Sequence, residues 1–264
     1  MSAAKSNNNK VVLVSGGAGG IGRHIAEVFL DDGAAVHVCD SSSANINSFL
    51  DANPGATATR ADVSDPRSVN QVFADLENLH EGLDILINNA GIAGPTALVE
   101  DVAVEEWDGC IAVNLSGTFY MTRRAIPLLK KRGTPSIINI ASVAGIFGCP
   151  LRSPYVASKW AMIGLTKTWA MELGPYNIRV NAICPTSVSG ERIEGVIDRD
   201  AAERGLTADQ IRDVYQRQSS MRTFVTPQDV TDMVVFLASD RAGKISGQAI
   251  AVDGNTESLA NWLD

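Results

Sequence analysis

Tyr155 and Lys159 are the residues of this chain whose types and spacing most directly suggest chemistry. They lie four residues apart in a segment whose pattern predicts a helix, so both side chains share one face. A phenol ordinarily titrates near pH ~10, which is too high for a base at neutral pH. A neighbouring ammonium favours the phenolate and lowers the phenol pKa. The pair could therefore move a proton on or off a substrate oxygen, although a surface tyrosine beside a solvated lysine has the same spacing.

Two polar residues upstream could complete such a site. Ser142 lies 13 residues before Tyr155, just after a predicted strand, where its hydroxyl could hold a substrate oxygen and stabilise developing charge. Asn114 lies inside a long predicted helix. Each also has a structural interpretation: Ser142 as a turn or N-cap serine, and Asn114 as a hydrogen-bonding residue between packed helices.

A glycine-rich turn at residues 15–22 follows the first apolar run and opens a helix. Glycines let the backbone turn tightly and approach a pyrophosphate, whose charge the helix N-terminus stabilises. Placed between a strand and a helix, this turn predicts a dinucleotide-binding site. The predicted contacts come from Gly16, Gly20, Ile21 and Gly22.

Asp40 ends the second predicted strand, 18 residues after Gly22. A carboxylate there can accept hydrogen bonds from both ribose hydroxyls of NAD and repels the 2′-phosphate of NADP. Neither residues 41–43 nor the turn at 16–20 carries a basic side chain, and Arg23 lies on the following helix. The sequence therefore predicts NAD over NADP by about tenfold or more. The alternative interpretation of Asp40 is an N-cap of the next helix.

These motifs, together with the run Asn88-Asn89-Ala90-Gly91, resemble in order and spacing those of the short-chain dehydrogenase/reductase family, from about residue 11 to about residue 255. The resemblance implies that Tyr155 is the general base, which takes the alcohol proton as a hydride leaves for the nicotinamide. Lys159 would lower its pKa and hold the nicotinamide ribose. Ser142 would position the substrate oxygen, and Asn114 would anchor a water that connects Lys159 to solvent.

The resemblance implies further contacts and an assembly. Cofactor contacts would come from Asp62 and Val63 at the adenine, from Asn89, Ala90 and Gly91 on the adenosine ribose side, and from Pro185, Thr186 and Val188 at the carboxamide. Ser15 and Thr186 depart from the threonine and glycine that are frequent in the family. The family is commonly tetrameric, so a homotetramer or homodimer is expected through the two long helices. The aromatic residues that could pack there, or in the core, are Trp107, Phe119, Trp160, Trp169 and Trp262.

The elements that must position these residues alternate along the chain. Apolar strands separated by amphipathic helical crossovers predict an α/β fold, a single doubly wound Rossmann-type domain with a seven-stranded, mostly parallel sheet and helices on both faces. Residues 1–9 are predicted to be a disordered tail, and residues 10–264 to form the domain. Residues 186–226 carry alternating charges and read as a helical insertion, which the resemblance makes a lid over the substrate pocket. Predicted strands span 11–14, 35–39, 57–61, 83–88, 136–140, 178–183 and 248–252, and predicted helices span 21–30, 66–79, 105–131, 154–173 and 229–238.

The composition excludes several other classes of function. A net charge of −8 over 264 residues argues against a nucleic-acid surface. No apolar run is long enough for a bilayer, so no membrane partner and a cytoplasmic location are expected. The four cysteines are widely spaced, which suits apolar core positions in a reducing compartment. The three histidines form no motif, so no metal site is expected.

The sequence therefore predicts an NAD-dependent dehydrogenase that acts on a small-molecule secondary alcohol, a polyol or sugar, or a hydroxy acid. Arg152 and Arg192 could each meet an anionic group at the pocket mouth or be solvated. Three alternatives compete with this prediction: an NADPH-dependent 3-oxoacyl reductase, against which Asp40 argues; an inactive cofactor sensor, against which the complete site argues; and a serine hydrolase, whose Gly-x-Ser-x-Gly elbow is missing from the sequence. The loop before Tyr155 is expected to line the pocket through Phe147, Cys149 and Leu151.

Overall fold

Seven strands form one sheet in the computed structural model, which describes residues 9–260. Their order is β3-β2-β1-β4-β5-β6-β7. Every pairing between these strands is parallel, so the fold prediction is confirmed and its "mostly parallel" sheet becomes wholly parallel. The order reverses direction at β1, which opens a crevice beyond the carboxyl ends of β1 and β4. The strands are β1 (Val11–Ser15), β2 (Ala35–Asp40), β3 (Thr57–Arg60), β4 (Ile85–Asn88), β5 (Ser136–Ile140), β6 (Arg179–Pro185) and β7 (Ala249–Val252).

Helices cover both faces of the sheet because the strands are apolar on both sides. Alternate side chains of β1 point to opposite faces, so Val12 and Val14 pack with α1, α2 and α9, while Leu13 packs with α3, α5 and α6. The helices are α1 (Gly20–Asp31), α2 (Ser43–Ala52), α3 (Pro66–Leu79), α4 (Val104–Ile111), α5 (Gly117–Leu129), α6 (Ser153–Leu173), α7 (Glu191–Arg204), α8 (Ala208–Arg217) and α9 (Pro227–Ala238).

Two helical features differ from the sequence prediction. Helix α2 was not predicted; the Ser42 side chain caps it by accepting from the backbone N–H of Asn45 at 3.2 Å. The long helix predicted over 105–131 is divided by a π-helical turn, Ala112–Ser116, between α4 and α5. Such turns are rare and frequently occur at functional sites.

A buried polar ladder joins the two central strands to the two long helices. The Asn88 amide nitrogen donates to Thr122 Oγ1 on α5 at 2.9 Å and to Asn139 Oδ1 on β5 at 2.8 Å. The Asn139 amide nitrogen then donates to Thr166 Oγ1 on α6 at 2.9 Å. Because buried polar groups must find partners, the ladder fixes the positions of α5 and α6 against the sheet.

The aromatic residues predicted for the long helices divide between core and surface. Trp169 is 7% exposed and belongs to the core on the face of α3 and α5, so of the two interpretations left open for this residue the structure shows the core one. Trp107, Phe119 and Trp160 are exposed. Trp262 and most of the predicted disordered tail lie outside the described residues. Within residues 9–260, no helix is long and apolar enough to cross a membrane.

His37 on β2 is buried among neutral and acidic partners. Its Nδ1 is 2.7 Å from Thr57 Oγ1 and its Nε2 is 3.0 Å from Thr59 Oγ1, which in turn donates to Asp75 at 2.5 Å. Burial lowers the pKa of His37 to about 4; Asp75 opposes this shift and His80 adds to it. The folded protein therefore holds this imidazole neutral well below its ordinary pKa of 6.5.

We expect acid to weaken the fold through His37. Above the unfolded pKa of 6.5 both states leave the imidazole neutral, so its stabilising effect is fully present there and is lost as the pH falls toward about 4. The loss approaches about 3 kcal/mol at the acid end of this window. Thermal unfolding at several pH values should show His37→Gln less stable than wild type at neutral pH but less sensitive to acid. His24→Gln, whose ring contacts Gln228 on the surface, is the control; equal acid sensitivity in wild type and His37→Gln would contradict the prediction.

Candidate active site

A continuous cavity of about 880 Å³ lies beyond the carboxyl ends of the strands. Because parallel strands end at the same edge of a sheet, residues that are distant in sequence meet there. Two of the predicted site residues, Gly22 and Asn114, do not line the cavity and support it from behind. The predicted residues that do line it are Gly16, Gly20, Ile21, Asp40, Asp62, Val63, Asn89, Ala90, Gly91, Ser142, Tyr155, Lys159, Pro185, Thr186 and Val188.

The glycine turn at the start of α1 requires glycine for two reasons: a left-handed backbone at some positions and close packing at another. Gly16 and Gly20 have φ of 59° and 53°, a conformation that favours glycine. A Cβ on Gly22 would lie 2.1 Å from the carbonyl oxygen of Gly16 and 2.4 Å from the side-chain nitrogen of Asn89. No side chain caps the N-terminus of α1, whose backbone N–H groups are therefore available to an anion in the cavity.

Asn89 holds this turn from the next strand of the sheet. Its amide nitrogen donates to the carbonyl oxygens of Ser15 at 3.1 Å and Gly16 at 3.0 Å. In return, the Ser15 hydroxyl accepts from the backbone N–H groups of Asn89 at 3.0 Å and Ala90 at 3.1 Å. The Ser15 hydroxyl thus makes these contacts, although the family that this sequence resembles more often has threonine at this position.

Asp40 points toward the glycine turn. Its Oδ1 accepts from the backbone N–H of Ser42 at 3.0 Å and its Oδ2 from that of Ala18 at 3.4 Å. Ser42, not Asp40, is the N-cap of α2, so the capping interpretation of Asp40 does not apply.

A basic side chain that was not predicted from the sequence lies beside Asp40. Arg60, at the end of β3, pairs with Asp40 in the sheet register, and its Nε donates to the Ser41 carbonyl oxygen at 3.3 Å. Arg23 also lines the cavity and pairs with Glu27 at 2.8 Å. Arg60 lies beside Asp40 because β2 pairs with β3, so the residues that follow Asp40 along the chain give no sign of this arginine.

Tyr155 and Lys159 lie in the first turns of α6, where Pro154 occupies an early helical position. Lys159 is 3% exposed, and its ammonium donates to the Ile140 carbonyl oxygen at the end of β5 at 2.8 Å. The same nitrogen lies 5.6 Å from the centroid of the Tyr155 ring. Helix α6 thus presents both groups on one face toward the cavity, as the spacing predicts.

The surroundings of Tyr155 favour its ionised form. Burial alone would raise the phenol pKa, but the charges of Lys159 and Arg192, a hydrogen bond from Ser142 and the charge of Arg152 together lower it below its usual value. Burial lowers the pKa of Lys159 as well, an effect that the Tyr155 phenolate opposes. The tyrosine is therefore prepared to exchange a proton closer to neutral pH than a free phenol.

Ser142 has the N-cap role considered from the sequence, and its hydroxyl also lies beside Tyr155. Its hydroxyl caps the short helical turn Val143–Gly145 by accepting from the Ala144 N–H at 3.1 Å, and it lies 3.5 Å from the Pro185 carbonyl oxygen. Its hydrogen bond to Tyr155 also contributes to the lowered pKa of that phenol. The cap holds the hydroxyl beside Tyr155, where it could also contact a substrate oxygen.

Asn114 lies in the π-helical turn and is completely buried. Its Oδ1 accepts from the Ile92 N–H at 2.8 Å, and its amide nitrogen donates to the Ile92 carbonyl at 3.0 Å and to Ser158 Oγ at 3.2 Å. A Cβ on Gly91 would be 3.1 Å from Asn114 Oδ1 and 3.8 Å from the Lys159 ammonium. The side chain therefore braces the irregular segment that follows β4 against the helices; its predicted link to a water remains a prediction.

The chain is similar to known proteins over nearly its whole length. A short-chain dehydrogenase family model, described as enoyl-(acyl carrier protein) reductase, matches residues 16–255. The chain belongs to the short-chain dehydrogenase/reductase family. It is similar to the 3-oxoacyl-[acyl-carrier-protein] reductase FabG of Thermotoga maritima (35% identical, covering 93% of this chain and 96% of that protein). It is also similar to the D-beta-hydroxybutyrate dehydrogenase of Rhizobium meliloti (36% identical, covering 93% and 97%). Among solved structures, NAD+-bound xylitol dehydrogenase matches with a TM-score of 0.90 at 27% identity over 94% of this chain and 99% of that one.

Membership in this family makes the protein an oxidoreductase that acts on CH–OH groups with a nicotinamide cofactor. The family assignment made from Tyr155, Lys159 and the glycine turn is thus confirmed. Among the described residues, no three histidine, cysteine, aspartate or glutamate side chains form a cluster that could hold a metal ion.

In this short-chain dehydrogenase/reductase, helices α7 and α8 cover one end of the cavity. They contribute Arg192, Ile193, Val196 and Tyr215, none of which a local motif identifies. The Tyr215 hydroxyl donates to the buried Asp200 carboxylate at 3.1 Å, and Arg204 pairs with the same carboxylate at 2.8 Å. This contact between α7 and α8 holds the covering segment together.

The loop before Tyr155 only partly matches its prediction. Cys149 and Arg152 line the cavity, whereas Phe147 and Leu151 are not among the residues that form its wall. Leu151 has φ of 64°, a left-handed conformation that costs energy for a branched side chain. That bend directs the next residue, Arg152, inward at the start of α6.

Proposed function

We propose that this protein is an NAD(H)-dependent dehydrogenase that interconverts a secondary alcohol and a ketone, with Tyr155 as the general acid/base. The observation that carries the proposal is the buried Lys159 beside Tyr155 and Ser142, in a cavity continuous with the glycine turn and Asp40. Substrates of the proposed class are small alcohols, polyols or sugars, and hydroxy acids. The names of the Rhizobium and xylitol enzymes, a hydroxy acid and a polyol dehydrogenase, support this range.

The residues present fit a dinucleotide. The N-terminus of α1 and the glycines at 16, 20 and 22 would accommodate the pyrophosphate, and Asp40 would accept from the adenosine ribose. Asp62 and Val63 would border the adenine, with Asn89, Ala90 and Gly91 on the ribose side. Lys159 would hold the nicotinamide ribose, and Pro185, Thr186 and Val188 the carboxamide. When bound, the nicotinamide supplies the hydride acceptor or donor.

The protein's own residues would handle the proton. In alcohol oxidation, Ser142 donates to the substrate oxygen and the ionised Tyr155 removes its proton as the carbon loses a hydride. The ammonium of Lys159 stabilises the phenolate, and we propose that a water held at Asn114 carries protons between Lys159 and solvent. The reverse sequence protonates the oxygen of a ketone. Helices α7 and α8 would act as a lid that excludes water from this reaction.

Asp40 should determine which nicotinamide is used. We expect wild-type kcat/KM with NAD to exceed that with NADP by about tenfold or more, because the carboxylate repels a 2′-phosphate. In Asp40→Ala this repulsion is removed while Arg23 lines the cavity and Arg60 lies at the neighbouring strand end, so the ratio should fall by at least about tenfold. Turnover with both cofactors, followed by the absorbance of the reduced nicotinamide, measures the ratio. Asp51→Ala, an exposed substitution on α2, is the control; a wild-type preference for NADP would contradict the prediction.

The same assay separates a second candidate. Similarity to the Thermotoga 3-oxoacyl-[acyl-carrier-protein] reductase favours an NADPH-dependent reduction of a 3-oxoacyl thioester. That activity predicts turnover of acetoacetyl thioesters with NADPH and little oxidation of free alcohols with NAD. The proposed dehydrogenase predicts the opposite pattern across a panel of secondary alcohols, polyols and hydroxy acids. Binding of NADH without turnover is expected both of an inactive cofactor sensor and of a dehydrogenase whose substrate is missing from the panel, so it does not separate these two, whereas failure to bind either nucleotide would contradict both.

Exposed apolar side chains on the long helices support a homotetramer or homodimer. Trp160 on α6 is 52% exposed, and Trp107 and Phe119 are exposed on α4 and α5. Exposed large apolar side chains on packed helices are typical of a surface that a second subunit covers. Four free cysteines support a reducing compartment, for which we propose the cytoplasm.

A further inference from the structure

Arg152 is a buried cation without an anionic partner among the described residues. Its residue is 6% exposed, and no carboxylate of the described chain lies within ion-pair distance of it. Two of its five N–H groups are used: Nη1 donates to Thr96 Oγ1 at 2.9 Å and Nη2 to the Ala93 carbonyl oxygen at 2.8 Å. The remaining donors belong to a side chain that lines the cavity.

Burying an uncompensated charge is costly, so such a group is ordinarily paired. The buried acid of α7, Asp200, does not line the cavity and is already held by Arg204 and Tyr215. Glu191 also lines the cavity but is exposed on the first turn of α7. The protein therefore supplies a buried guanidinium and leaves its counter-charge to come from a molecule in the cavity.

The position of Arg152 relates that counter-charge to the reacting centre. Its guanidinium carbon lies 5.5 Å from the centroid of the Tyr155 ring, and the two residues are three apart at the start of α6. If one substrate molecule contacts both residues, its anionic group on Arg152 would thus be only a few bonds away from the carbon whose oxygen contacts Tyr155. Arg192, on the lid side of the same cavity, adds a second positive charge near the phenol.

We propose that the substrate carries a carboxylate that binds Arg152, which makes the enzyme a hydroxy-acid dehydrogenase with Arg152 as its specificity-determining residue. This inference rests on the proposed function and names the substrate class of the same site. The carboxylate lies close to the carbinol carbon, as in a short-chain or ring hydroxy acid. Arg192 strengthens its binding when the lid closes. Neutral polyols lack the group that completes the site and are poor substrates.

Matched pairs of acid and amide test the proposal, since they differ in charge and little in shape. Lactate, 3-hydroxybutyrate and 4-hydroxycyclohexanecarboxylate are each compared with their primary amides, using NAD and the wild-type enzyme. We expect kcat/KM to favour the preferred acid over its amide by about 100-fold. Arg152→Gln should lower kcat/KM for that acid by about 100-fold and for the amide far less. Arg152→Lys should recover part of the loss, because it keeps the charge but not the planar geometry.

Controls separate specificity from folding and from cofactor binding. Arg199→Gln, an exposed substitution on α7, should leave kcat/KM for the acid unchanged. Thermal unfolding shows whether Arg152→Gln is folded; if it is not, the wild-type ratio of acid to amide still decides. Equal use of acid and amide, or preference for the amide, overturns the proposal. A fall in NADH affinity in Arg152→Gln as large as the fall for the acid also overturns it, because Arg152 would then serve a cofactor phosphate.

A binding measurement distinguishes failure of this inference from failure of the proposed function. Butyrate and butyramide are titrated calorimetrically into the enzyme–NADH complex. Butyrate should bind the wild type and not Arg152→Gln, whereas butyramide should bind neither tightly. If butyrate binds in this way but no alcohol is oxidised, the anion site stands and the proposed dehydrogenase fails. If alcohols are oxidised but butyrate binding does not depend on Arg152, the dehydrogenase stands and the carboxylate site fails.

Discussion

Replacing Tyr155 with phenylalanine is expected to reduce kcat for alcohol oxidation by about 10²- to 10⁴-fold, the usual contribution of a general acid/base. The substitution removes only the hydroxyl that Lys159 and Ser142 prepare for proton transfer, and it leaves the ring packed at the start of α6. Steady-state oxidation of the preferred alcohol with NAD, followed by the absorbance of NADH, measures the loss.

Two controls make that result specific to proton transfer. Tyr176→Phe removes an exposed phenol beside the end of α6 and should leave kcat unchanged. NADH affinity and the melting temperature should be nearly the same in Tyr155→Phe and wild type. Oxidation requires the phenolate, so the wild-type rate should rise with pH and level off through an apparent pKa below 10, the direction in which its surroundings shift this phenol. Near-normal activity in Tyr155→Phe would remove Tyr155 from the mechanism.

Gly22→Ala is expected to destabilise the protein by about 3 kcal/mol or more, at the upper end of the range for overpacking. The added Cβ would overlap the Gly16 carbonyl oxygen at 2.1 Å, and because that oxygen is part of the backbone it cannot move aside cheaply. The turn must open to relieve the overlap, so NADH affinity should fall by at least about tenfold. Chemical denaturation and fluorescence titration with NADH measure the two effects.

Gly55→Ala is the matched control for this substitution. Gly55 lies in the turn between α2 and β3, and a Cβ there would meet no atom within 4 Å. Its φ is outside the left-handed region, so alanine should be tolerated or slightly stabilising. If Gly22→Ala bound NADH as tightly as Gly55→Ala, close packing of the turn would not be required for the cofactor.

Elements with strong local signals were predictable to within a residue. Helix α3 begins at Pro66 because Asp65 caps it and proline suits its first turn, and both signals are in the sequence. Strand β5 is a short, isoleucine-rich run that follows Pro135, and it was also predicted with its observed bounds. Helix α2 was missed because only Ile46 and Phe49 of its ten residues are buried, too few for a clear helical period.

The remaining differences depend on contacts between distant segments. The π-helical turn around Asn114 continues a helical pattern without a break in composition, and its hydrogen bonds go to Ile92, 22 residues earlier. Arg60 reaches Ser41 only because β2 and β3 pair. Tyr215 and Arg152 share the cavity wall although 63 residues separate their numbers in the chain. Motifs therefore identified the groups that we propose exchange the proton. Arg152 was also named from the sequence as a possible contact of an anion, but its burial and its partners required the assembled fold.

The buried ladder of Asn88, Thr122, Asn139 and Thr166 has a consequence for how this enzyme can change over generations. An apolar replacement of any one member leaves the partner amide or hydroxyl buried without a hydrogen bond, which costs about 1–3 kcal/mol of stability. Replacing the whole set by apolar residues of similar shape avoids that penalty, so the effects of the single changes do not add. A protein that changes these residues one at a time from the polar set to an apolar set therefore passes through variants of lower stability. The junction of the sheet with α5 and α6 is therefore expected to resist stepwise substitution, while the cavity wall beside it remains free to diversify.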